Sequence, residues 1–357
     1  MPSMLLMLTV LTATISSSVS STPPPNSWEI ATNVWMPKMN LGTCCGSDPT
    51  VGLLPWLKAG GIGIDTAYSY TGAQTAIASV LASPAASKWS RADLFITTKI
   101  CQTECTGVPL DACAKKLLQQ DLNRLNTTYV DLVLIHHPGN DSDNALLWKG
   151  LEATLAAGKT RAIGVSNFNP AQLAALPGRV PAVNQIHLSV GTVVPMLSTL
   201  AYCAQKFIAI TAFDVLKGCP YDNGNLVNIA AAHNVTTAQV CLRFVLQLAA
   251  PANMTIAAGT GSDPNTAARY AAEDLDVFGF ILSASEMAVI SDTPPPINSP
   301  DYWLYGPGVM LVIFGALALS AAVATGAAFV FKAVLTRRAA GAAVEPEGGL
   351  NYALIEG

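Results

Sequence analysis

Four polar side chains stand at the ends of apolar runs in this chain. Asp65 and Tyr70 lie in GIGIDTAYSY (61–70), Lys99 closes LFITTK (94–99), and His136 follows YVDLVLI (129–135). A free phenol has a pKa of about 10 and is a poor acid at neutral pH. An ammonium beside it stabilises the phenolate and lowers that value. A carboxylate then balances and positions the ammonium, while an imidazole can hydrogen-bond a substrate oxygen and fix its direction. Asp, Lys, Tyr and His brought together would deliver a proton to a carbonyl oxygen. They are far apart in sequence, so the fold must assemble them.

The elements able to do this are readable. Between Trp35 and Ile290, short apolar runs alternate with helix-like segments. Strands are expected at 38–43, 61–67, 94–100, 129–136, 161–166, 182–188, 207–213 and 255–259. Helical patterns lie between them, for example at 110–125 and 145–157. In the latter, Leu146, Leu147, Leu151 and Leu155 recur at spacings of three and four, and Gly158 reads as a helix-ending residue. Eight strand–helix units in this length suit an α/β (β/α)8 barrel, usually ~250 residues, whose active site lies at the C-terminal strand ends. A doubly wound sheet would carry a glycine-rich fingerprint after its first strand, and GTCCGSD (42–48) lacks that spacing. The register of DLVLIHHP (131–138) favours His136 over the neighbouring His137.

From Pro37 to Ile290 the chain resembles the aldo-keto reductase family. The resemblance is carried by PKMNLGT (37–43), GIGIDTAYSY, LFITTK, DLVLIHHP, GKTRAIGVSNF (158–168) and VNQIHLS (183–189), six stretches in the family's order and spacing. It implies a TIM barrel that reduces aldehydes or ketones to alcohols with NAD(P)H. By matched position, Tyr70 is the proton donor, Asp65 and Lys99 tune it, and His136 orients the carbonyl. The same matching implies cofactor contacts at Thr43, Ser166, Asn167, Gln185, Phe213, Gly259, Thr260 and Glu273. Among these, Ser166, Asn167 and Gln185 would hold the nicotinamide carboxamide, Phe213 would stack on its ring, and Glu273 would meet the adenine amine. A fold does not fix a function. The alternative reading is a membrane-anchored nicotinamide-binding sensor or accessory subunit with little turnover.

The chain also departs from the family. Cys44 and Cys45 stand where an aromatic is common, which alters one wall of the substrate pocket. His137 occupies another often aromatic position, and DVLKG (214–218) replaces a Ser-Pro-Leu-Gly type run. In the last strand the family's NADP-binding lysine is absent from TIAAGTGSDPNTAARYAAEDL (255–275). A dianionic phosphate wants a cation or several N–H donors, and Arg269 is the nearest candidate. NADP(H) is the expected cofactor, with NAD(H) open.

Composition bounds the rest. The chain has 357 residues with a net charge of −4, which argues against nucleic acid as a partner. Only 12% of residues are charged, against about 25% in an ordinary soluble domain. The deficit is concentrated at the C-terminus, where no charge occurs between Asp301 and Lys332. A bilayer needs roughly 20 apolar residues as a helix, and 308–331 supplies them. The expected organisation is a signal peptide at 1–20, a Ser/Pro-rich linker at 21–34 and the barrel at 35–291. A Pro-rich linker follows at 292–306, then a membrane-spanning helix at 307–331 and a tail at 332–357. Lys332, Arg337 and Arg338 favour a cytoplasmic tail, which puts the barrel in the lumen or outside. Asn126, Asn140, Asn234 and Asn253 head glycosylation triplets compatible with that side; a cytoplasmic barrel on a simple anchor is the alternative. Eight cysteines permit disulfides there, with Cys101, Cys105 and Cys113 clustered for a bridge; their spacing is poor for a metal, and none is expected. Substrate identity and oligomeric state have no signature.

Overall fold

The structure, a computed structural model, describes residues 23–248 and 253–293. The expected signal peptide, membrane-spanning helix and tail lie outside the described residues, as does all but the start of the Pro-rich linker. Among the described residues no helix is long and apolar enough to cross a membrane.

Ten strands form. Strands β1 (Ser27–Ala31) and β2 (Val34–Pro37) make an antiparallel hairpin. The other eight are β3 (Met39–Gly42), β4 (Gly63–Asp65), β5 (Phe95–Ile100), β6 (Val130–Ile135), β7 (Thr160–Ser166), β8 (Val183–His187), β9 (Ala209–Phe213) and β10 (Met254–Ala258). They pair in sequence order, and β10 closes on β3 to complete a parallel barrel. Each falls within two residues of the stretch expected for it. Ten helices complete the units: α1 (Pro49–Lys58), α2 (Ala73–Leu81), α3 (Leu110–Arg124), α4 (Asp141–Ala156), α5 (Pro170–Ala175), α6 (Val193–Gln205), α7 (Gly224–His233), α8 (Thr237–Gln247), α9 (Pro264–Leu275) and α10 (Ala284–Ser291).

Two local expectations need correction. Helix α4 begins four residues before 145, because the Asn140 side chain caps it and Asp141 and Asp143 occupy its first turn. Carboxylates there suit the positive end of a helix but leave no trace in an apolar period. On the same helix Leu147, Trp148 and Leu151 are buried, whereas Leu146 points outward. The hairpin is the second difference, since β1 lies inside the stretch expected as a linker. Its apolar side chains Val34 and Met36 pack against Phe95, Leu132, Leu134, Ala162, Val183 and Ala209 inside the barrel. The hairpin thus plugs the end opposite the strand C-termini.

Strand alternation decides what reaches the site. Side chains along a strand point alternately to opposite faces. In β5, Phe95 points into the barrel while Ile96 and Ile100 pack in the outer cluster beneath the helices. Two steps from Phe95 is Thr97, and two more is Lys99, so Lys99 faces inward at the active end. In β6, Leu132 and Leu134 are interior and Val133 and Ile135 exterior, so the next interior position is His136. Gly63 faces inward because a Cβ there would lie 2.1 Å from the Asn40 side-chain oxygen. The Asn40 amide donates to Pro37 and Ile256 carbonyls across the β3–β10 closure.

Candidate active site

The C-terminal strand ends bring the tetrad together. Asp65 ends β4, and the turn after it is tied to β5 by hydrogen bonds from Thr66 N–H to the Thr97 carbonyl (2.9 Å) and from Tyr68 N–H to the Lys99 carbonyl (2.9 Å). That turn carries Tyr70. The Lys99 ammonium donates to Asp65 Oδ1 (2.5 Å), to the Thr66 carbonyl (3.0 Å) and to Tyr70 Oη (3.4 Å). Asp65 Oδ2 accepts from Gln185 Nε2 at 2.7 Å. His136 stands edge-on to Tyr70, ring centres 5.7 Å apart. The His137 ring stacks on the His136 ring at 4.4 Å, and both line the cavity.

Burial sets the charges. Lys99 is 0% and Asp65 4% exposed. Neither charge would survive there alone, because desolvation costs several kcal/mol per ion unless a well-placed partner offsets it. Burial pulls the Lys99 pKa down, but Asp65 and Tyr70 outweigh it and the ammonium titrates above its ordinary value. Tyr70 differs from expectation. Lys99 does pull its pKa down, but burial pushes it up by more, and Asp65 adds to the rise. The net is a phenol above its ordinary pKa of 10, so its proton is in place at neutral pH. Burial, then Lys99 and His137, push the His136 pKa down to about 3. His136 is therefore a neutral imidazole, able to orient a carbonyl but not to supply the proton.

A cavity of about 500 Å³ opens above the tetrad, within the ~300–1,000 Å³ of ordinary small-molecule sites. Asp65, Tyr70, His136, Ser166, Asn167, Gln185, Phe213 and Gly259 line it. Asn167 sits in the left-handed region (φ 65°), which asparagine tolerates better than most residues. Its amide donates to the His136 carbonyl at 3.1 Å. The side-chain oxygens of Asn167 and Gln185 accept nothing among the described residues, so they are open to an amide donor. Beside them is the half-buried ring of Phe213. Two open acceptors and a flat apolar face fit a nicotinamide and its carboxamide, and Ser166, Asn167, Gln185 and Phe213 are the residues that would hold it.

Four other residues considered for the cofactor do not line this cavity. Thr43 is buried, its hydroxyl donating to the Asp65 carbonyl (2.9 Å); it steadies β4 and borders a smaller neighbouring cavity. Thr260 is 1% exposed and packs towards α1, where a Cβ on Gly52 would lie 2.2 Å from its hydroxyl. It follows β10 on the side facing the helices, so alternation turns it away from the cavity. Arg269 lies on the second turn of α9 and Glu273 on the third, paired with each other at 3.3 Å. Neither lines the cavity. Cys44 and Cys45 line one cavity wall together with Gly46 and Ser47; the sequence reading did not place Asp214, Val215, Leu216 and Lys217, which form another. The signal available was the departure from family pattern at these two loops.

The cysteine cluster pairs as Cys105–Cys113, leaving Cys101 a buried thiol. Cys219–Cys241 ties the loop after β9 to α8, and Cys44 is bonded to Cys45. Among the described residues no group of His, Cys, Asp and Glu could hold a metal ion.

Comparison with known proteins follows the same lines. The family model described as Aldo/keto reductase family matches residues 53–293. The chain is 32% identical over 250 residues to a glyoxal reductase of Bacillus subtilis, spanning 68% of this chain and 82% of that protein. It is 31% identical over 246 residues to an NADPH-dependent codeinone reductase 1-4 of Papaver somniferum, spanning 61% and 72%. A crystal structure of an aldo/keto reductase from Brucella melitensis superposes with a TM-score of 0.64 at 26% identity, covering 76% of this chain and 99% of that one.

Proposed function

The chain belongs to the aldo/keto reductase family, and on that premise we propose that it reduces an aldehyde or ketone to an alcohol using NADP(H), with Tyr70 as the proton donor. The observation that carries the reading is the contact of 3.4 Å from the buried Lys99 ammonium to Tyr70 Oη, with Asp65 behind the lysine and the cavity in front of the tyrosine. The bound nicotinamide would supply the hydride; the protein's task is placement and electrostatics. His136, held neutral, hydrogen-bonds the carbonyl oxygen and aims it at the phenol. Tyr70 gives its proton to that oxygen as negative charge develops there. Lys99 stabilises the phenolate left behind, and Asp65 keeps the ammonium charged and in place. The NADPH dependence of the poppy relative supports NADP(H) over NAD(H) here.

The test is consumption of NADPH and NADH by the purified protein against a panel of aldehydes and ketones. Carbonyl-dependent consumption is expected; none with either cofactor would sink the reading. The charge states add a pH prediction. Tyr70 keeps its proton until well into the alkaline range, and His136, with a pKa of about 3, carries no proton to lose near neutrality. The pH profile of kcat/KM for reduction should be flat from about pH 5 to 9, without a step near 6.5, and should fall only above that. A step of one proton near 6.5 would assign the acid to histidine instead.

We further read the barrel as tethered to a membrane through 308–331 and facing the lumen or exterior. The support is the sequence of the termini, together with the Cys105–Cys113 and Cys219–Cys241 bridges, which suit an oxidising compartment. Glycosidase treatment and protease protection on membranes from expressing cells test it. An unglycosylated barrel reached only from the cytosol would overturn the lumenal side.

A further inference from the structure

We propose that Lys217 is the cation that receives a phosphate of the dinucleotide. The inference rests on the reading of the cavity as a nicotinamide site. Among the described residues that line this cavity, Lys217 is the sole Lys or Arg. Lys99 lies beneath it, but its ammonium is spent on Asp65, the Thr66 carbonyl and Tyr70. Arg269 does not line the cavity.

Position favours the assignment. Phe213 sits with the amides of Asn167 and Gln185, where the carboxamide fits, and the same loop continues along the wall to Lys217. Four residues of chain reach at most ~14 Å, so Lys217 stays within that span of Phe213 on the same cavity. Gly46, Gly259 and Gly261 line the same cavity. No Cβ occupies the space beside Gly46 or Gly261, so a bulky anion can approach the backbone closely there.

The structure also shows what Lys217 does without a ligand. It pairs with Asp214 at 2.8 Å, side chains 59% and 30% exposed. Asp214 holds a left-handed conformation (φ 58°) and lines the same cavity. A carboxylate beside a phosphate path would repel the ligand, and Lys217 offsets it. An exposed pair of this kind is worth little, so the ammonium can exchange Asp214 for a phosphate at small cost and make a stronger charge-assisted bond.

The experiment is titration of NADPH and NADH into wild-type protein and the Lys217→Met, Lys217→Arg and Asp214→Asn variants, followed by quenching of protein fluorescence at low salt. Lys217→Met should weaken NADPH binding about tenfold, the size of one charged hydrogen bond. Lys217→Arg should restore most of it. Asp214→Asn should tighten binding by about threefold, and asparagine tolerates the left-handed backbone. Because Lys217 is mostly exposed, an unchanged melting temperature in Lys217→Met is expected and separates lost binding from lost folding. An equal loss for both cofactors puts Lys217 on the diphosphate they share; a loss for NADPH alone puts it on the 2′-phosphate. Wild-type affinity in Lys217→Met for both cofactors overturns the assignment and leaves the site reading standing. A wild-type protein that binds neither overturns both.

Discussion

Tyr70→Phe should lower kcat for carbonyl reduction by about 10³-fold while leaving the Kd for NADPH within a factor of two or so, the range of general-acid contributions being ~10²–10⁴. The substitution removes one oxygen, the atom 3.4 Å from the Lys99 ammonium. The half-buried ring stays, with its edge contact to His136, so the cavity keeps its shape. Nothing else nearby can supply the proton. His136 is neutral with a pKa of about 3, and the Lys99 ammonium, held above its ordinary pKa by Asp65 and Tyr70 despite its burial, is a reluctant acid. Single-turnover kinetics with saturating NADPH would measure it, and a variant keeping more than a tenth of the rate would remove Tyr70 from the role.

Lys99→Met should lose both activity and stability. Methionine fills a similar volume, so no large cavity opens. What it leaves is the Asp65 carboxylate, 4% exposed, with Gln185 as its remaining donor. Breaking a buried pair by deleting one partner costs about 3–5 kcal/mol, a large part of the ~5–15 kcal/mol that holds an ordinary protein folded. Calorimetry should show the melting temperature falling by about 10 °C, at ~2–4 °C per kcal/mol for a chain of this size. Adding Asp65→Asn to Lys99→Met removes the orphaned charge, so the double variant should recover much of the lost stability and none of the rate. The two variants thus separate the lysine's two roles. If the double variant melts as low as the single one, the unpaired carboxylate is not the cause.

Much of the barrel was readable because its strands are buried on both faces and show as apolar runs of four to eight residues, an interval the chain repeats eight times. What escaped was amphipathic or polar. The β1–β2 hairpin alternates around a turn at Asn33 and sits behind a Pro-rich stretch, so it read as linker. The first turn of α4 is Asp141, Ser142 and Asp143, invisible to a hydrophobic period. In the site, residues at strand ends (Asp65, Lys99, Ser166, Gln185) were legible because two-residue alternation fixes their face. The surroundings of Thr260 and Glu273 were not legible in this way. Thr260 packs beyond the end of β10 against α1 and Glu273 sits on α9, and those packings are set by tertiary structure.

The sequence by itself determined the number and order of the strand–helix units, and it put Asp65, Tyr70, Lys99 and His136, the residues proposed to move a proton, at the strand ends of one face. Those are properties of local periodicity and side-chain type. The tertiary structure alone decided the charge states and the cavity walls. Lys99 and burial act on Tyr70 in opposite directions, and only the packing around the ring makes burial the larger. His136 loses its charge for the same reason, through neighbours distant in sequence. Lys217 reads along the chain as an interruption of a family motif; the closed barrel puts it on the wall of the cavity that holds the tetrad, because desolvation and proximity are set by all the elements at once.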